Sequence, residues 1–240
     1  MRQKIALLVP AYLPTRTHFG TILSRTIPSI NNQTKPPDET IFCLNGFFQK
    51  DKTIFYDMLS KTCKTKYKIL NLGQKASAAI ALNKAYQATD PETTHICFLA
   101  ADDSCDKTKI EKQSEAFLND TNVDLIATHF NNVTRGKATP CERLGKYLTH
   151  YDIARTLPME NIVCGGSVMM KSNVYKKLGG FKVKQKPGEV WDEYDRPMWE
   201  DWDLWLRAIK NGYKFKTIDE CLYNWHHDIG GHFRDKSKDR

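Results

Sequence analysis

His95-Ile-Cys-Phe-Leu-Ala-Ala-Asp-Asp-Ser104 is a short apolar run that ends in two adjacent carboxylates. The run reads as a buried strand over 95–100, with Asp102 and Asp103 just past its end. Two neighbouring carboxylates at a strand end repel each other unless a cation or a cluster of donors neutralises them. A hard divalent cation takes oxygen ligands and often shares them with substrate phosphates. The pattern alone also fits a helix cap ahead of Lys107, or a solvated pair.

Working outward, 5–9, 40–44, 67–70 and 123–128 read as further strands. Segments 19–30, 52–62, 76–88 and 107–118 read as helices between them. This alternation predicts an α/β fold with a mostly parallel central sheet and helices on both faces. Ligands of such sheets bind beyond the carboxyl ends of the strands, so 10–16, 45–50, 71–75 and 100–104 are the segments of interest.

The second half reads differently. Residues 130–160 look irregular, 162–170 reads as a strand, and 172–178 as a short helix stopping at Gly179-Gly180. A long loop over 181–199 leads to a helix over 200–211 closed by Gly212, and 213–218 reads as the last strand. The organisation is a single domain with two halves, 1–130 and 131–240.

Composition narrows the classes. The chain has 240 residues, 40% hydrophobic and 27% charged, which is ordinary globular usage. The formal charge is +8, and all of the excess lies in residues 1–75, where twelve Lys and Arg face four Asp and Glu. Such a stretch favours an anionic partner. The seven cysteines include no C-x-x-C pair, which is the pattern of reduced thiols in a cytoplasmic protein. No apolar run is long enough to span a bilayer. There is no G-x-G-x-x-G after the first strand, no P-loop and no G-x-S-x-G, which disfavours a nicotinamide dehydrogenase, a P-loop NTPase and an α/β-hydrolase.

Trp199-Glu200-Asp201-Trp202-Asp203-Leu204-Trp205-Leu206-Arg207 puts three carboxylates at a helix start. Acids in a first turn favour the helix dipole. Trp202, Trp205, Leu206 and Ile209 recur at helical spacing and read as a core stripe. Trp191, Tyr194 and Trp199 precede the helix and read either as stacking platforms for a ring-shaped ligand or as a loop packed on itself. His226 and His227 follow the last strand and are either metal ligands or surface residues. Six lysines and no acid fall in 171–186. That run is either a solvated face or a site for an anionic acceptor.

Taken in order, these pieces resemble a family 2 glycosyltransferase of the GT-A fold, over about residues 4–227. The resemblance rests on Val9-Pro-Ala-Tyr12, on Asn71-Leu-Gly-Gln-Lys75 with Ala78 and Asn83, and on Phe98-Leu-Ala-Ala-Asp-Asp103 with Lys109-Ile-Glu-Lys-Gln113. It continues with Cys164-Gly-Gly-Ser-Val-Met-Met-Lys171, Gly179-Gly-Phe181, Glu200-Asp-Trp-Asp-Leu-Trp-Leu-Arg207 and Tyr223-Asn-Trp-His-His227. It implies a Rossmann-like sheet whose first half binds a nucleotide sugar and whose second half, 131–240, binds the acceptor and supplies the base.

The implied reaction is inverting transfer of a sugar from a nucleotide-sugar donor, a UDP-sugar foremost, to a hydroxyl acceptor. The acceptor is a glycan, a lipid-linked sugar or a modified nucleic-acid base such as one in DNA. Pro10, Ala11, Tyr12, Asn45 and Lys75 would lie near base and ribose. Asp102, with Asp103 and His226 or His227, would hold a Mn2+ or Mg2+ ion at the diphosphate. Asp201, with Glu200 second, would be the base, and Gly165, Gly166, Trp191, Trp199 and Trp202 would line the acceptor side. The sequence departs from the family at Ala100, where an Asp is usual, and at Asn45, where an acid is usual. The alternative is a sugar- or nucleic-acid-binding relative without turnover, which Ala100 favours and the retained carboxylates oppose.

Overall fold

The fold was obtained as a computed structural model and is described for residues 2–46, 52–141, 147–183 and 199–227. Strand β1 (Ile5–Tyr12) runs down the centre of its first half, with Ile5 to Val9 at most 2% exposed. A β-branched and leucine-rich run with no polar alternation is what a strand covered on both faces requires. β1 pairs in parallel with β2 (Glu39–Asn45) on one side and β4 (His95–Phe98) on the other, and β3 (Tyr67–Asn71) extends the block beyond β2. The linking helices are α1 (Arg16–Thr21), a π-helical turn (Ile22–Thr26), α2 (Ile27–Asn31), α3 (Lys52–Thr62) and α4 (Ala78–Gln87). Ser77 caps α4, its hydroxyl accepting from the Ile80 amide at 3.3 Å.

After β4 the chain forms β5 (Ser104–Cys105), α5 (Lys109–Asn119), β6 (Leu125–Thr134), β7 (Lys137–Pro140) and α6 (His150–Thr156). A 3-10 turn (Gly165–Ser167), β8 (Met169–Lys171), α7 (Ser172–Lys177), α8 (Glu200–Lys210) and β9 (Phe215–His226) complete it. The sheet order is β3-β2-β1-β4-β8-β6-β9-β5, with β7 on β6. The expected α/β fold with a parallel block is found, and β8 is the strand that positions the site. It lies antiparallel between β4 and β6, with Cys97 opposite Met169. Its start therefore lies at the carboxyl end of β4, so the turn Gly165–Ser167 meets the segment that follows β4.

Three readings of the second half are corrected. Residues 130–141 and 147–160 are not irregular: β6 runs on to Thr134, turns through Arg135-Gly136, both at positive φ, into β7, and α6 spans His150–Thr156. Residues 162–170 form a strand only at Met169 and Met170, the start of β8. Ser167 instead donates its hydroxyl to Cys164 O at 2.7 Å, curling the chain before β8. The last strand does not end at Ile218. Asp219 and Glu220, which look like a strand end, sit at a shift in register with β6, where Thr128 faces Ile218 and His129 faces Cys221. Among the described residues no helix is long and apolar enough to cross a membrane.

Candidate active site

Tyr12 and Asn45 are register partners at the carboxyl ends of β1 and β2. The Lys75 ammonium lies 5.2 Å from the Tyr12 ring centroid. Gly46 has φ +59, and a Cβ there would stand 2.3 Å from the Tyr12 ring, so both the backbone and the close approach demand glycine. Asn45 is only 3% exposed, and its Oδ1 accepts from the Ala76 amide at 3.4 Å. Its side chain therefore braces the loop that carries Lys75. Ala11 is fully buried, and Pro10 is partly exposed beside it. These five residues are thus brought to one edge of the sheet.

Beyond β4, Asp102 is partly exposed and Asp103 is 4% exposed. Both oxygens of Asp103 are engaged: Tyr223 donates its hydroxyl to Oδ2, and the His226 amide donates to Oδ1 at 2.8 Å. Burial and the neighbouring Asp102 charge hold the Asp103 carboxyl well above the usual range, against the pull of these donors and of Arg25. The turn is clamped from the π-helical segment. Arg25 donates to Asp102 O at 2.8 Å, and the Thr26 hydroxyl lies 2.7 Å from Ala101 O and 2.9 Å from Asp103 O. A π-helical turn is uncommon and often marks a functional site.

Asp201 lies in the first turn of α8, and α8 is fixed by its own tryptophans. Trp202 donates its indole N–H to Leu157 O at 2.7 Å, and Trp205 donates to Val163 O at 3.1 Å. These two bonds hold the 157–163 segment against the helix. Asp201 then receives the Gly165 amide at 3.0 Å, the Asn161 side-chain amide at 3.2 Å and the Trp202 amide at 2.7 Å. Burial, then the adjacent Glu200 charge, push its carboxyl up to about 7, while these donors pull the other way. A carboxyl poised there suits proton transfer near neutrality.

Gly165 and Gly166 bridge the two carboxylate sites. A Cβ on Gly165 would lie 3.2 Å from Asp201 Oδ2, and one on Gly166 would lie 2.2 Å from the Tyr223 ring. Gly166 thus permits Tyr223 to reach Asp103 while Gly165 addresses Asp201. The Cys164 thiol is pushed up by burial and by both Asp201 and Asp103. Downstream, Arg207 pairs with Asp203 and donates to Leu178 O at 2.6 Å and Gly180 O at 2.8 Å. Asn83 closes the same turn, donating to Phe181 O at 2.8 Å.

The two histidines separate. His226 Nε2 lies 3.1 Å from Ser104 Oγ, beside the Asp102–Asp103 turn. His227 is exposed on the other face of β9, with Nε2 3.0 Å from Asn132 Oδ1. Trp199 is 51% exposed just ahead of α8, whereas Trp202 is partly buried with its indole on Leu157. Trp191 and Tyr194 fall outside the described residues, as do Lys184 and Lys186. Among the described residues no group of three or more His, Cys, Asp or Glu is assembled as a metal cage.

Arg25, Thr26, Asn161 and Tyr223 were not singled out from the sequence. Each acts through a backbone group or through a partner 36 or more residues distant, and periodicity carries no signal for that. Tyr223 stands in the quoted Tyr-Asn-Trp-His-His segment, so its neighbourhood was in view.

Residues 8–179 match the family model "Glycosyl transferase family 2", well over half of the chain. An uncharacterized glycosyltransferase of Methanocaldococcus jannaschii is 26% identical over 232 residues, spanning 91% of this chain and 70% of that protein. The crystal structure of S. aureus TarS 1–349 in complex with UDP-GlcNAc superposes with a TM-score of 0.67 at 16% identity, over 96% of this chain and 60% of that one. The complex of the same protein with UDP gives 0.65 at 15% identity, over 94% and 61%. The chain spans about three fifths of the length of those structures, and at this identity the likeness is one of fold.

Proposed function

The chain belongs to glycosyl transferase family 2, and on that premise we propose that it is an inverting glycosyltransferase with Asp201 as its base. Residues 1–130 are the nucleotide-sugar half and 131–240 the acceptor half of one domain. The donor is a UDP-sugar, supported by the UDP and UDP-GlcNAc complexes of the TarS fold. Its nucleotide lies over Pro10, Ala11, Tyr12 and Lys75. Its diphosphate reaches the Asp102 turn.

The acceptor hydroxyl attacks the anomeric carbon from the side opposite the diphosphate. The new carbon–oxygen bond forms as the sugar–phosphate bond breaks, the nucleoside diphosphate leaves, and the hydroxyl proton passes to Asp201. The Gly165 amide and Asn161 fix the orientation of that carboxylate, and glycine at 165 spares it a 3.2 Å contact with a Cβ. Glu200, in the same first turn, raises the basicity of Asp201 by its charge.

The residues present fit a divalent cation at the post-β4 turn. Asp103 is engaged by Tyr223 and the His226 amide, and Ala100 offers no ligand, so Asp102 would be the protein carboxylate, with the His226 imidazole, bonded to Ser104, the candidate beside that turn. Mg2+ commonly binds through one or two carboxylates together with substrate phosphates, so a full protein cage is not required. When bound, a Mn2+ or Mg2+ ion stabilises the charge that develops on the leaving diphosphate.

One observation carries the reading: the Gly165–Gly166 turn joins Asp201 to the Tyr223–Asp103 pair that anchors the post-β4 carboxylates. The test is nucleotide release from a panel of UDP- and other nucleotide sugars with Mn2+ or Mg2+, for the wild type, Asp102→Ala and Asp201→Ala. Release that falls in both variants supports the assignment. Release unchanged in both removes it, and no binding of any donor favours the non-catalytic relative that Ala100 suggests.

A further inference from the structure

From the end of β9 we propose a second subsite: Trp225, with Phe130, Asn132 and His227, is a stacking platform for a pyranose ring of the acceptor. The inference rests on the glycosyltransferase reading and deepens it. Side chains alternate across a strand, so Tyr223, Trp225 and His227 share one face of β9. Its register with β6 is regular here, with Phe130 opposite Tyr223 and Asn132 opposite Trp225. The contacts agree. Trp225 meets the Phe130 ring edge-on at 6.1 Å and lies 4.4 Å from the His227 ring, and His227 is bonded to Asn132. The opposite face carries Asn224 and His226, both bonded to Ser104.

The Trp225 face is the one on which Tyr223 meets the Gly165–Gly166 turn, while His226, beside the Asp102–Asp103 turn, lies on the opposite face. Tyr223 lies under Gly166 and holds Asp103, and Gly165 holds Asp201. Two residues along a strand span roughly 7 Å, so Trp225 stands about one sugar ring further along β9 from Tyr223. Trp225 is 43% exposed, so its ring is open to a ligand.

The chemistry around that ring points to the occupant. A pyranose offers one apolar C–H face and a ring of hydroxyls. Trp225 supplies a flat apolar surface, and the groups beside it are the Asn132 amide, the His227 imidazole and the Thr139 hydroxyl, the last bonded to Asn132 O at 3.2 Å. Each of these groups can hydrogen-bond a sugar hydroxyl; Lys137, two residues along β7 from Thr139, shares the face, so the DNA arm of the test separates a sugar from a phosphate backbone.

The test uses the full chain with UDP and Mg2+, and 5-fluorotryptophan in place of Trp. The probes are the methyl glycosides of glucose, galactose, N-acetylglucosamine and N-acetylgalactosamine, and a single-stranded DNA oligonucleotide. Trp225→Phe assigns the fluorine resonance of position 225. The expected result is that at least one glycoside shifts that resonance and receives saturation at its ring C–H protons. Trp225→Ala should weaken that binding roughly tenfold, the effect of losing one aromatic contact. Trp225→Phe should retain most of it. A resonance unmoved by every glycoside, equal binding by Trp225→Ala, or a response to DNA alone overturns the inference. The fluorine shift is read on the unsubstituted position, so the outcome stands even where Trp225→Ala does not fold. Acceptor-free release of UDP from UDP-sugars by the wild type reports the underlying activity separately. Release without a glycoside response defeats the platform only, and absence of both defeats the enzyme reading with it.

Discussion

Asp201 is where sequence position, local geometry and chemistry meet most tightly. Its carboxyl is pushed up to about 7 by burial and Glu200. A base must be deprotonated to act, so kcat should rise with pH and level off above an inflection near 7 in a pH–rate profile. The same shift has a stability consequence of the opposite sense. Between the unfolded value near 4 and the folded value near 7, the native state holds the proton and the unfolded state does not, so stability falls as pH rises through that window. Asp201→Asn removes this titration. Its melting temperature should gain on the wild type from pH 4 to 7 and keep a constant offset above about 8. Gly166 offers a purely steric counterpart. Gly166→Ala places a methyl 2.2 Å from the buried Tyr223 ring and should destabilise the fold by about 1–3 kcal/mol. Chemical denaturation reads that loss directly.

At the scale of elements, helix α8 does more than bury an apolar stripe. Its sequence was legible as a helix, and Trp205 as core, because Trp202, Trp205, Leu206 and Ile209 recur at helical spacing. What spacing could not reveal is that two indoles hold the carbonyls of Leu157 and Val163, and so deliver Asn161 and Gly165 to Asp201. Trp205→Phe removes the indole donor from the Val163 carbonyl and leaves a void where the second ring was buried. It should cost about 1–3 kcal/mol and lower the melting temperature by several degrees. The parallel block was readable for the same reason. β1, β2 and β4 are runs buried on both faces with turn residues at their ends. β8 was legible only as the end of an over-long run at 162–170, because three residues set antiparallel between β4 and β6 owe their pairing to distant strands. The extension of β9 past Asp219-Glu220 was hidden by two acids that sit at the register shift, one of them bonded to His129 at 3.0 Å. The post-β4 carboxylates were found at once from their strand, but their division of labour was not. Only the long-range partner Tyr223 shows that Asp103 is the buried anchor, with Asp102 partly exposed beside it.

For the whole molecule, the basic excess of residues 1–75 divides by position. Lys4 pairs with Asp90 and Glu92, Lys61 with Asp57, and Lys68 with Glu39, whose carboxylate is almost fully buried. Lys75 instead stands over Tyr12 at the carboxyl edge of the sheet, and Arg25 lies on the Asp102 turn. On the proposed function, Lys75 and Arg25 are the part of this excess that would support a diphosphate donor. Lys75→Ala should raise the donor KM on the order of tenfold with little change in kcat, because the contact is made equally in ground and transition states. An acceptor on DNA would instead make turnover fall steeply with salt, through the release of counterions.

The central claim is that Asp201 takes the acceptor proton at a site that joins it, through Gly165–Gly166, to the post-β4 carboxylates. Single-turnover transfer by the wild type and Asp201→Asn, with a UDP-sugar and Mn2+ across pH 5–9, tests it most directly. The account predicts a wild-type rate that rises through about pH 7 and a variant slower by about 10²–10⁴-fold with no such inflection. A variant that transfers at the wild-type rate, or that keeps the wild-type pH profile, would contradict it.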